Sequence, residues 1–198
     1  MILYHMSQTL KLGDELTPDY QKNTALVQPF VQALERSEDC FCGMVLNGKY
    51  LYAVLGKFNL WEWSDYAKWA TEGAFEYIRK TEFPESYSRM KSNYFYDDLP
   101  NCKKLYEYDW GNESEEEQQK VHLFEIEVDD AVPQQRDMNI YDEAYNAMSG
   151  TQDVPFVLAC ARRYFAREQT VNPVWEIMSD KPAKAVKDIT HYLRGEEK

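Results

Sequence analysis

Little in this sequence advertises a familiar chemistry. It has 4 cysteines in 198 residues, Cys40, Cys42, Cys102 and Cys160. That is too few for a disulfide framework, and a reducing cytosol suits such sparse usage. Cys40-Phe41-Cys42 has no second Cys or His pair at zinc spacing, so no metal is expected and the thiols read as small buried side chains. No glycine-rich phosphate loop occurs, which argues against a Rossmann or P-loop nucleotide site. Ser86 and Ser88 lack a Gly-x-Ser-x-Gly elbow, which argues against a serine hydrolase. His122 and His191 have no partner that sequence reveals and are read as structural. No apolar run has the length of a signal peptide or a membrane span, so a cytoplasmic protein without a membrane partner is expected. Positive charge is short as well. Lys and Arg total 22 against 34 Asp and Glu, a net charge of −12. Such a surface repels phosphate backbones and disfavours general nucleic-acid binding, while leaving room for a local basic pocket.

What is present is aromatic and globular: 44% hydrophobic residues, with 15 tyrosines and 5 tryptophans. That surplus exceeds what a bare core needs and points to an aromatic surface or cleft. The length fits one domain over 1–198. Ile2-Leu3-Tyr4-His5 opens as a strand. Thr24 to Arg36 carries Leu26, Val27, Phe30, Val31 and Leu34 at helical spacing, with Pro29 tolerable only in a first turn. Gly43 to Gly56, around Asn47-Gly48, reads as a β-hairpin. Ser64 is expected to cap a helix bearing Tyr66, Trp69, Ala70, Gly73, Ala74, Tyr77 and Ile78, stopped by Phe83-Pro84. Ser92 to Tyr96 reads as an aromatic strand, and Asp97-Asp98-Leu99-Pro100 as the start of a helix. The acidic stretch at about 111–120 is expected to be a solvated loop or insertion. Val121 to Val128 alternates like a half-buried strand, and Asp129-Asp130 ends it. Asp153 and Pro155 start a helix, Val174 to Met178 forms a strand, and Ala185 to Ile189 another. Strands and helices mix without a strict βαβ rhythm, which predicts an α+β fold.

Three segments together resemble the ADP-ribosyltransferase fold, in which a split, mostly antiparallel pair of small sheets holds NAD in a cleft between them. Leu3-Tyr4-His5-Met6-Ser7 is similar to the His-Gly-Ser segment of the poly(ADP-ribose) polymerase-like branch, with Met6 standing where that branch has glycine. Lys91-Ser92-Asn93-Tyr94-Phe95-Tyr96-Asp97-Asp98 is similar to its Lys-Gly-Ile-Tyr-Phe-Ala-Asp strand. Pro173-Val174-Trp175-Glu176-Ile177-Met178, with Lys184-Ala185-Val186 behind it, is similar to the late strand that presents a glutamate. The order of these segments, with Phe-Glu-Ile-Glu-Val and Ala-Arg-Arg-Tyr-Phe between them, also resembles uncharacterised bacterial and phage proteins suspected of this fold.

The resemblance implies NAD as substrate, with no metal. Cleaving the nicotinamide bond develops positive charge at the anomeric carbon, so a carboxylate is needed nearby, and Glu176 takes that part. His5 would hydrogen-bond a ribose hydroxyl, Tyr94 would stack on the nicotinamide ring, and the Met6 backbone with Ser7 would grip its carboxamide. Arg89, Lys91, Arg162 and Arg163 are candidates for the pyrophosphate. Glu125 and Glu127 compete with Glu176 for the carboxylate role. Transfer to an acceptor, a protein rather than a nucleic acid, and hydrolysis of NAD are both open. So is a catalytically inactive domain of the same fold that serves as a protein-interaction module. An unrelated structural domain would instead scatter His5, Tyr94 and Glu176 in space.

Overall fold

The computed structural model describes residues 1–46, 55–60 and 62–195, and the protein is α+β. The chain gathers into two compact units, one of Met1–Pro18, Ser92–Gln135 and Val174–Lys198, the other of Asp19–Lys91 and Arg136–Pro173.

The first unit holds the sheets. Strands β1 (Ile2–Ser7), β2 (Glu15–Leu16), β4 (His122–Val128) and β7 (Ala183–Asp188) form one antiparallel sheet in the order β1-β4-β7-β2. Strand β3 (Asn93–Phe95) lies beside β6 (Trp175–Ser179) in the second sheet, ordered β3-β6-β5, with β5 spanning Gln134–Asp137 where the chain leaves the unit. Side chains alternate across a strand. One face of the first sheet therefore gives Leu3, Phe124, Ile126, Val128 and Ala185 to a core completed by Leu16, Phe95, Ile177 and Ala183. The other face gives Leu123 to a second cluster, where Cys102 and Tyr106 of α4 (Leu99–Trp110) and Leu193 of α8 (His191–Arg194) pack with Tyr4, Met6 and Tyr96. As expected, Asp98 is the N-cap of α4 and Pro100 lies in its first turn. The acidic stretch is not all loop: Ser114 caps a short exposed helix α5 (Glu115–Lys120), its hydroxyl accepting from the Glu117 amide at 3.3 Å. Acidic residues suit the positive end of a helix, which turns a charge-rich stretch into structure.

The second unit is helical: α1 (Tyr20–Arg36), α2 (Glu38–Leu46), α3 (Trp63–Glu82), α6 (Met138–Gly150) and α7 (Val154–Phe165). Helix α3 packs against α1, α6 and α7. It begins one residue before the expected Ser64, after Glu62, which makes no side-chain cap bond. A Cβ at Gly73 would overlap Phe30, so the α1–α3 contact depends on glycine there. Pro29 lies inside α1 rather than in its first turn, because Asp19 starts the helix earlier by accepting from the Lys22 amide. The missing N–H falls beside exposed Ala25, while Leu26, Val27, Phe30, Val31 and Leu34 are all buried and hold the helix through it. The expected hairpin fails at its first arm: Met44, Val45 and Leu46 finish α2. Residues 47–54 lie outside the described residues. Asp137 starts α6, accepting from the Asn139 amide at 3.1 Å and the Thr170 amide at 2.7 Å. Asp153 caps α7 by accepting from the Phe156 amide at 3.1 Å. Among the described residues no helix is long and apolar enough to cross a membrane.

Candidate functional site

His5 and Tyr94 meet at the seam of the two sheets. Tyr4 of β1 and Tyr96, just beyond β3, exchange backbone hydrogen bonds of 2.8 and 2.9 Å, an antiparallel bridge between the sheets. One residue further on, His5 Nδ1 donates to the Tyr94 carbonyl at 2.9 Å. A carbonyl only accepts, so Nδ1 carries the proton and Nε2 keeps its lone pair when the ring is neutral. Burial lowers the His5 pKa from its ordinary value, and the bond to the Tyr94 carbonyl offsets part of that shift. The ring lies edge-on to Phe95, with centroids 6.1 Å apart.

Glu176 lies on the neighbouring strand. Tyr94 pairs with Met178 and Phe95 with Ile177, so alternation gives Tyr94, Met178 and Glu176 one face of the β3–β6 pair and the core residues Phe95 and Ile177 the other. Glu176 is 5% exposed. His5, Tyr94 and Glu176 thus occupy three successive strands of one unit. They are joined through the Tyr94 backbone rather than by three facing side chains. The competing carboxylates sit elsewhere on the first sheet: Glu125 lies opposite Tyr4 and Glu127 opposite Ile2, on the face away from His5. Lys187 Nζ donates to Glu125 at 2.8 Å, and Glu127 is exposed.

Other candidates are already engaged. The Ser7 hydroxyl accepts from the amides of Thr9 and Leu10, both at 3.1 Å, and so closes its own turn. Met6 packs against the cluster around Cys102 and Leu123. Arg89, Lys91, Arg162 and Arg163 belong to the second unit. Arg89 is 8% exposed, donates to Glu72 at 3.0 and 3.2 Å and to the Tyr164 hydroxyl at 2.6 Å, and lies 4.0 Å from the Tyr141 ring centroid. Arg162 forks onto Glu82 at 2.8 and 2.9 Å, Arg163 pairs with Glu143 at 2.8 Å, and Lys91 lies over the Tyr20 ring. These pairings account for local positive charge without a ligand.

The cysteines divide: Cys102 and Cys160 are buried as expected, whereas Cys40 is exposed and Cys42 half-buried on α2. Burial pushes the Cys102 thiol up to about 12 and also raises Cys160. Neither is a ready nucleophile. Among the described residues no group of three or more His, Cys, Asp or Glu could hold a metal ion.

His122, read as structural with no partner, has one. Its Nδ1 lies 3.5 Å from Asp188 and 3.4 Å from the Thr190 hydroxyl. Pairing of β4 with β7 creates this contact, and nothing in the local sequence around either residue signals it.

A family model described as "Protein of unknown function (DUF2441)" matches residues 3–191 of the chain. No curated protein matches it.

Proposed function

We propose that this chain, which belongs to the DUF2441 family, binds NAD and transfers its ADP-ribosyl group to an acceptor, or hydrolyses it, with His5, Tyr94 and Glu176 at the centre of the site. The observation that carries the reading is the His5 to Tyr94 carbonyl bond, made where two small antiparallel sheets meet and one strand away from a buried glutamate. His5 presents an acceptor nitrogen to a ribose hydroxyl. Glu176 supplies the negative charge that an oxocarbenium-like anomeric carbon requires. The bond from that carbon to the nicotinamide nitrogen breaks, its electron pair leaves with neutral nicotinamide, and an acceptor oxygen or water forms the new bond. A protein acceptor suits a net charge of −12 better than a polynucleotide does, and four free cysteines suit a cytosolic setting with its NAD pool.

The test is nicotinamide release from NAD by purified protein beside Glu176→Gln, which keeps shape and removes charge. Release that falls at least a hundredfold in the variant supports the reading, since lost transition-state stabilisation of about 3 kcal/mol gives that factor. Equal release in both proteins removes Glu176 from the chemistry.

A second reading, a non-catalytic interaction module of the same fold, is favoured by Ser7 and Met6. The Ser7 hydroxyl is committed to its own turn, and a packed methionine side chain stands where the poly(ADP-ribose) polymerase-like branch has glycine. That reading predicts no nicotinamide release at all.

A further inference from the structure

The face of the first sheet that carries His5 also carries a second imidazole. In the β1–β4 register His5 lies opposite Phe124 and Ser7 opposite His122. Alternation puts all four on the side that gives Leu3, Phe124 and Ile126 to the core. Ring contacts agree: His5 is edge-on to Phe95, and His122 stacks on Phe124 with centroids 6.1 Å apart. The apolar face therefore ends in a polar rim of His5, Ser7 and His122.

Strand β7 adds Asp188, opposite Phe124. Its carboxylate accepts from the Thr190 hydroxyl at 2.6 Å and the Thr190 amide at 2.9 Å, and lies 3.5 Å from His122 Nδ1. Burial works against the charged form of Asp188, but the Thr190 hydrogen bonds and His122 hold its pKa below the ordinary value. An ionised carboxylate beside Nδ1 keeps the proton on that nitrogen, as the Tyr94 carbonyl does for His5. With the ring neutral, Nε2 is then the acceptor on each. His122 is 41% exposed, so a ligand can reach it.

We propose that His122, oriented by Asp188 and Thr190, is a second ligand-binding residue of the His5 site, and that the two Nε2 atoms accept hydrogen bonds from hydroxyls of a ribose-bearing ligand. A pair of acceptors selects a ligand with a pair of donors, and a sugar diol supplies them. A group rich only in acceptors finds no partner on these rings. The inference shares His5 with the NAD reading and does not depend on the charge of Glu176.

The chain has 3 histidines, so the imidazole carbon protons can be assigned by NMR through single His→Gln substitutions and followed in titrations with NAD, ADP-ribose and nicotinamide. NAD and ADP-ribose are expected to shift the His5 and His122 signals together and to leave His191 in place. Nicotinamide, which has no ribose, leaves His122 unmoved. His122→Gln weakens ADP-ribose binding about tenfold, the effect of one lost hydrogen bond, while His191→Gln binds as the wild type does. Movement of His5 without His122 overturns the proposal and leaves the NAD reading standing. If neither moves at millimolar ligand, both fall.

Discussion

In the helical unit, Arg89 is 8% exposed and its guanidinium is taken up by Glu72, Tyr164 and the Tyr141 ring. In the sheet unit, His5 and His122 are half-buried, and each commits Nδ1 to the protein, leaving Nε2 for something else. The difference separates two uses of polar side chains. A buried charge whose partners all come from the fold specifies packing, whereas a ring with one nitrogen fixed and one available is equipped to meet a ligand.

The comparison breaks most visibly at Arg89. Arg89→Met strands Glu72 in the core, and unfolding followed by circular dichroism should show a loss of about 3–5 kcal/mol. Unchanged stability with lost NAD binding would instead make Arg89 a pyrophosphate ligand. Gly73→Ala comes next. Its Cβ overlaps Phe30, so α1 and α3 must separate, at a cost of about 1–3 kcal/mol in the same assay.

His5 sharpens the other side of the comparison. Its folded-state pKa lies below the ordinary 6.5, so the neutral ring is the stabilising form. That contribution is present above pH 6.5 and lost as pH falls through the lower folded value. His5→Gln should therefore cost on the order of 1 kcal/mol at pH 7.5, and its gap to wild type should narrow toward pH 5 in denaturant titrations. A gap that widens would mean the ring is held protonated. The smallest effect is expected at Arg162→Ala. Its pairing with Glu82 joins side chains 49% and 37% exposed, and removing it should change stability by less than about 1 kcal/mol, with NAD affinity unchanged.

Local signals carried much of this fold. Asp98 and Asp153 stand at helix N-caps and their prolines fall in the first turns, since a missing N–H is tolerated there; Asp153 also accepts a side-chain cap bond, whereas Asp98 does not. Strand β4 was legible from its alternation. Three features were not. Helix α1 runs through Pro29 because its buried stripe outweighs a local breaker, and Met44–Leu46 is helical although the Asn47-Gly48 pair that follows it in sequence signals a hairpin turn. Strand β5 ends and helix α6 begins at Asp137, whose partner Thr170 is 33 residues away. The site divides in the same way. A motif could point to His5, Tyr94 and Glu176 as a set. Only strand register could show that Glu125 and Glu127 lie on the other face, that Arg89 is a core residue, and that His122 has Asp188 beside it.

The most direct test of the central claim is a calorimetric titration of NAD into the wild-type protein, repeated with His5→Ala. The account predicts saturable binding to the wild type at millimolar NAD or below, weakened at least tenfold in the variant. Absence of binding to the folded wild type would contradict it and leave the seam between the sheets as a purely structural junction.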